Sequence, residues 1–301
     1  IMKNKSEKKK LDGNSFLLAV TIILFFVMYI VGIIMFGGRG FAKVQNFLNL
    51  FISNAGLIVV ATGMTIVMIT GGIDISVGSV VAMVCMMLAW MMERGNIGAF
   101  PAILIVLVTG CIFGLVQGFL VAYLKIQPFI VTLATMNVAK GLAYVYTGGS
   151  PVRVVTKEWQ FLGAGYVGGV PTPVILLAVV LVITAIIMNK TKLGRHIYAV
   201  GGNSQAARFS GISTAKVKFL VHTYSGIMAG LAGVVLASRM YSGQPTAGDG
   251  AEMDAIAAVV VGGASMAGGS GKIGGTIIGG LIIGVLNNGL NLLNVNSFWQ
   301  Y

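Results

Sequence analysis

Acid–base, nucleophilic and metal chemistry have little to work with in this chain: 8 carboxylates, 2 histidines and 2 cysteines in 301 residues. His196 and His222 stand too isolated to make a metal pair or a base beside a nucleophile. Cys85 and Cys111 lie inside apolar runs, where a thiol packs as a small hydrophobe. No catalytic-triad, zinc or phosphate-loop spacing occurs. The densest acidic group, Asp249, Glu252 and Asp254, lacks the accompanying acid, base or metal ligand that hydrolysis by paired carboxylates requires. Two readings of it remain open. It can cap the helix that follows, favoured by the helix dipole, or it can meet basic residues of an external docking protein.

What is left are polar groups that bind rather than react. In TGGIDISVGS, at 70–79, paired glycines end one helix and Asp74 or Ser76 can cap the next. That turn is either a polar element beside a substrate path or gate, or a capped turn and no more. Further on, Phe129, Thr132, Met136 and Lys140 fall on one helical face with Thr135 and Asn137 adjacent. Such a stripe can line a hydrophilic pathway; equally, Lys140 can snorkel to the outer interface while the threonines bond their own backbone. Asn287 and Asn288 are costly in lipid unless neighbours or a polar path satisfy them. They follow Gly275/Gly279 and Gly280/Gly284, whose spacing allows tight helix contact, and Gly110, Gly114 and Gly118 repeat that spacing beside Gln117.

Membrane helices must position these groups. Hydrophobic residues make up 56 % of the chain, charged residues 9 %, and Gly numbers 43. That composition suits helices packed in lipid. Apolar runs of crossing length predict spans at 16–36, 51–69, 77–92, 103–123, 129–146, 174–188, 219–237, 255–265 and 276–293. The eighth is short and interrupted by Gly262 and Gly263, as a broken or re-entrant element would be. The first is too long for a signal peptide and lacks a cleavage site, so it is retained. Phe298, Trp299 and Tyr301 suit a membrane interface, and a tenth span is expected beyond them. The fold expected is all-α, a polytopic bundle of about ten helices with nine readable.

The net charge of +12 sits in loops between apolar runs, which points to membrane orientation rather than to nucleic acid. With a cytoplasmic N-terminus, the inner side receives the basic tail (1–15), Lys125, the cations of segment 190–218, and Lys272. Arg39, Lys43, Arg94, Arg153, Lys157 and Arg239 fall outside, and Lys140 lies within a span. Segment 190–218 is the longest polar interruption; it holds Lys190, Lys192, Arg195, Arg208, Lys216 and Lys218 and no acid. In it, Asn203 or Ser204 can cap a short helix at 205–210, and Gly211 suits its end. A short capped helix held out by two spans is shaped to be gripped by a soluble partner; the bland alternative is an ordinary positive-inside loop.

Four stretches, GGIDISVGS (71–79), QPFIVTLATM (127–136), LGRHIYAVGGNSQAARFSGI (193–212) and AEMDAIAAVVVGGASMAGGSGKIGGTIIG (251–279), resemble the membrane permease subunits of bacterial sugar-importing ABC transporters, most closely those for ribose. The resemblance implies a permease domain at 16–301 with a coupling loop at 189–218, and a multi-pass protein of the bacterial plasma membrane. Such permeases dock a cytoplasmic ATPase through Glu-Ala-Ala, three variable residues and Gly. Gln205, Ala206, Ala207 and Gly211 keep that spacing, with Gln replacing Glu. The docking surface implied is Gly202, Asn203, Gln205, Ala206, Ala207, Arg208, Ser210, Gly211 and Ile212. A substrate path is expected along Asp74, Ser76, Phe129, Thr132, Asn137, Asn287 and Asn288, and receptor docking at Asp249, Glu252 and Asp254. The partners implied are a second permease copy, an ATPase that carries the ATP and Mg, an external sugar-binding protein and a small sugar. This chain itself is expected to be neither an enzyme nor a cofactor carrier. Permeases for galactose, xylose or arabinose, and an ATPase-independent channel or carrier, are the alternatives.

Overall fold

The computed structural model describes residues 13–154 and 156–296. The N-terminal lysines and the aromatics Phe298, Trp299 and Tyr301 lie outside the described residues. Five helices come first: α1 (Gly13–Phe36), α2 (Val44–Ile69), α3 (Val77–Glu93), α4 (Ala99–Ala122) and α5 (Pro128–Val145). Strand β1 (Val152–Arg153), helix α6 (Lys157–Ala164) and a hairpin of β2 (Tyr166–Val167) and β3 (Val170–Pro171) follow. The rest is α7 (Thr172–Lys190), α8 (Lys192–Gly202), α9 (Ser204–Phe209), α10 (Thr214–Met240), β4 (Ser242–Gly243), α11 (Ala251–Val261) and α12 (Ile273–Leu292).

The polytopic helix bundle is as expected, but its count of crossings is corrected. Among the described residues, seven helices are long and apolar enough to cross a membrane: α1, α2, α4, α5, α7, α10 and α12. Helix α3 has 17 residues and α11 has 11. At 1.5 Å per residue α11 reaches only about 16 Å, half a hydrocarbon core. The chain before it is a two-residue strand followed by a run of turns. Residues 242–250 run antiparallel along α3, with Gly243 against Cys85 and Ala89 and Gly248 against Gly78. Gly250, at φ +82°, then turns that chain into α11. Non-helical backbone survives at membrane depth only when buried in protein. Here β4 pairs with β1, and Gly243 and Gly248 are buried.

Helices α2 and α10 form the buried centre, while α1, α4, α5 and α7 make an apolar rim. Helix α10 packs on α4, α2 and α3. The α4 contact is backbone on backbone: a Cβ on Gly110, Gly114 or Gly118 would come within 2.6 Å of the carbonyl of Gly226, His222 or Phe219. Of the C-terminal glycines, Gly275 and Gly279 meet α11 and its end, whereas Gly280 and Gly284 meet Ile58 and Asn54 of α2. One helix thus glues two neighbours.

Because the obstacle at Gly114 is backbone, it cannot swing aside. Gly114→Val is expected to lower the melting temperature of the detergent-solubilised protein by several degrees or prevent its accumulation. Gly141→Ala, in open space on α5, is the matched control and should melt at or slightly above the parent temperature. Equal melting of both variants would refute backbone contact as the glue between α4 and α10.

Candidate functional site

Segment 190–218 is not a loop with one short helix but helix almost throughout. It comprises the end of α7, all of α8 and α9, and the start of α10. Three side-chain caps make this possible. Thr191 Oγ1 accepts from the Gly194 amide, Asn203 Oδ1 from Gln205 and Ala206, and Ser213 Oγ from Lys216. Each satisfies amides that the first turn of a helix leaves free. Helix α8 stays down because Gly194, Ile197 and Val200 are buried.

The end of α9 follows the Schellman pattern. Gly211 sits at φ +80°, its amide donates to the Arg208 carbonyl, and the Ile212 amide donates to Ala207, both at 3.0 Å. Ala207 is buried, and Ile212 packs in the same apolar cluster as Val217 and Val221. Of the residues expected at a docking surface, Ala207 and Ile212 thus hold the helix in place. Gly202, Asn203, Gln205, Ala206, Arg208, Ser210 and Gly211 are exposed. The sequence reading missed Phe209. Its ring is 91 % exposed at the tip of α9, and a lone aromatic inside a polar six-residue helix was the available signal.

Helix α8 ties this tip to the bundle. A Cβ on Gly201 would lie 1.7 Å from the Ile69 carbonyl at the end of α2. That carbonyl accepts from the Gly269 amide at 2.9 Å. Tyr198 donates its hydroxyl to the Gly271 carbonyl at 2.7 Å. Burial pushes the Tyr198 pKa up, so this donor stays protonated at neutral pH.

Away from α9, a cavity of about 230 Å³ brings together side chains that the sequence had assigned to separate roles. Asn287 of the expected path and Asp249 and Asp254 of the expected docking group line it, with Asn54 and Arg239. The guanidinium of Arg239 donates to the Ser53 carbonyl at 2.7 Å. Lys140 reaches across from α5 to Asp249 at 3.0 Å, with both side chains about half exposed. Glu252 departs from its neighbours and packs against Gly78, where a Cβ would come within 2.2 Å of its Oε2.

The other expected path residues lie in the packing. Asp74, 1 % exposed, accepts from the amide and hydroxyl of Ser76 and from Ser225 of α10. Gln117 of α4 donates to the Ser76 hydroxyl at 2.6 Å. This network joins the α3 turn to α4 and α10. Thr132 is buried against the Ile73 carbonyl, Phe129 and Asn137 are exposed on α5, and Asn288 is half-buried on α12. Residues 129, 132 and 137 therefore do not share an enclosed path within this chain.

Residues 46–301 match the family described as branched-chain amino acid transport system / permease component. The chain is 43 % identical over 300 residues to the ribose import permease protein RbsC of Bacillus subtilis, covering 98 % of this chain and 92 % of that one. It is 42 % identical over 264 residues to the RbsC of Escherichia coli, covering 86 % and 82 %. The L-arabinose transport system permease protein AraH of Escherichia coli is 38 % identical over 266 residues, covering 84 % and 76 %. No solved structure matches. The chain belongs to this family of permease components, and it is the membrane-spanning permease subunit of an ABC importer.

The caps of α9 can be tested without transport. Asn203→Ala removes an acceptor worth about 1 kcal/mol, and Gly211→Val forces a β-branched residue to φ +80° at a cost of about 1–2 kcal/mol. Both should speed hydrogen exchange at the amides of 205–212. Gly202→Ala, whose added methyl meets nothing, should leave exchange unchanged. Unchanged exchange in all three variants would mean that α9 is held by something other than its caps.

Proposed function

We propose that the chain forms the sugar path of a ribose importer, with α9 as the helix that docks a separate ATPase. The observation carrying this reading is the exposed face of α9: Gln205, Ala206 and Phe209, presented by a helix capped at both ends and braced through Gly201 against α2 and the loop before α12. A rigid prong with one bare aromatic is what a cleft on a soluble partner needs. The high identity to two ribose import permeases favours ribose; the match to an L-arabinose permease keeps a second pentose as the alternative. ATP and Mg would be held on the ATPase. A second copy of this chain and an external sugar-binding protein complete the assembly.

Orientation follows from charge. Lys125, Arg208 and Lys218 line one cavity beside α9, Arg195 and Lys216 lie on the adjoining α8 and the start of α10, and Lys272 borders a cavity with Tyr198 of α8. A side this basic is expected in the cytoplasm of a bacterial plasma membrane, and the hairpin of β2 and β3 would then face outside. The cavity of Asn54, Arg239, Asp249, Asp254 and Asn287 would then belong to the sugar path: carboxylates accept from sugar hydroxyls, while amides and a guanidinium donate to them.

Proteoliposomes containing the chain, its ATPase and its sugar-binding protein provide the test. Phe209→Ala should weaken ATPase docking by about 2 kcal/mol, roughly thirtyfold, and Ala206→Trp should block seating. Both should abolish ATP-driven ribose uptake while the permease still assembles. Ala207 is unsuitable, because a larger side chain there disrupts the buried cluster. Normal uptake in both variants would refute docking through α9; faster uptake of L-arabinose than of ribose would refute the sugar.

A further inference from the structure

Between the α4–α5 turn and the α9–α10 junction lies a cavity of about 500 Å³ whose charged lining is Lys125, Arg208 and Lys218, with no acid. Among the described residues, none of the three forms an ion pair. The floor is apolar, made by Val121 and Ala122, both buried. Two helix N-termini converge here. Thr214 and Ala215, in the first turn of α10, line the cavity with amides that have no acceptor within the helix. Pro128 opens α5 from the opposite wall. Lys125 itself stands at φ +57°, a region that favours glycine or asparagine. That conformation ends α4, with the Ile126 amide donating to the Leu120 carbonyl; three cations and the first turns of two helices around one cavity favour an anion.

A second feature identifies the kind of anion. Directly beyond the cavity, the same two helices enclose an apolar groove of about 380 Å³ lined by Phe113, Leu120, Val131 and Ala134. The two spaces follow one another along α5. On that helix Pro128 of the cavity and Val131, Thr135 and Val138 of the groove share one face. From Leu120 to Ile112 the groove follows α4 for about 12 Å along its axis. Its rim exposes Leu124, Phe129 and Ile130. A soluble phosphate uses only the cationic cavity. A molecule with an anionic phosphate head and a hydrocarbon tail uses both.

We propose that this composite site binds one anionic phospholipid, its phosphate in the cationic cavity and an acyl chain in the groove between α4 and α5. Because Arg208 lies in the last turn of α9 and Ile212 just beyond it, the bound lipid joins the end of that helix to the α4–α5 turn. Membrane lipid thereby becomes a structural part of the α9 platform. The inference stands whether or not α9 docks an ATPase.

The test uses the purified full chain in detergent, with phosphatidylglycerol, phosphatidylcholine and inorganic phosphate as probes, and native mass spectrometry and calorimetry as readouts. Phosphatidylglycerol should bind with one tight site and phosphatidylcholine at least tenfold more weakly. Millimolar inorganic phosphate should not displace the lipid. Lys125→Gln with Lys218→Gln should weaken phosphatidylglycerol binding about thirtyfold, roughly tenfold or less for each cation lost. Lys125→Arg should retain it, which separates loss of charge from misfolding. Ala134→Phe fills the groove and should weaken the lipid but leave phosphate binding unchanged. Equal binding of both lipids, or no response to the charge variants, would overturn the proposal. So would phosphate binding as tightly as the lipid, or crosslinking of Lys125 to an ATPase or a second copy that excludes the lipid.

Discussion

Helices in lipid gain little by hiding leucine from hydrocarbon, so this bundle depends on backbones brought close enough to touch. The α4–α10 crossing shows how completely. Three successive turns of α4 present Gly110, Gly114 and Gly118 to carbonyls of α10, and Gly226 returns the contact. At that separation, dispersion acts along the whole crossing, and neighbouring polar groups can bond between helices. Asp74, Ser76, Gln117 and Ser225 form their network across the same junction of α3, α4 and α10. A carboxylate this buried is tolerated because three donors satisfy it. The glycines bring the helices together; the network specifies which turn of each must meet.

Close approach also makes α9 more than an appendage. A six-residue helix cannot hold itself in water. Its permanence comes from the caps of Asn203 and Gly211 and from Ala207 set into the cluster of Val217 and Val221. The adjoining α8 transmits any load on α9 into the bundle through Gly201, which leaves no gap at the Ile69 carbonyl. With no side chain between them, these two backbones can move only together or apart.

The apolar runs make the long helices legible, since a stretch such as 103–123 has no other way to satisfy its backbone in lipid. They misplace starts: α2 begins at Val44 and α10 at Thr214, because polar first turns belong to a helix without adding to its apolar run. The cap of α9 was legible in Asn203 and Gly211, whose roles are local. Helix α8 was missed because its apolar positions, Ile197 and Val200, are sparse among charges and mean little until a bundle exists for them to face. The roles of Asp74 and Asp249 were not legible for a related reason. One finds its third donor on α10 and the other its cation on α5, far along the chain.

The broken crossing then has a physical purpose. A continuous helix through 242–261 would bond all its own backbone and turn its side chains outward. The strand and turns at 242–250 instead need a neighbour, take it from β1 and α3, and carry Asp249 to a cavity whose far wall is Ser53 and Asn54 of α2. From Asn54 to Ile69, α2 is unbroken for about 23 Å. Its far end is the carbonyl gripped by Gly201 and Gly269. The opposite wall, Ala251 and Asp254 of α11, leads through Gly262 to the loop containing Gly269. Both walls of the cavity are thus held at their other ends by the C-terminus of α8. A displacement of α8 would bear on the two walls at once, so the cavity would change shape without an independent signal to either helix.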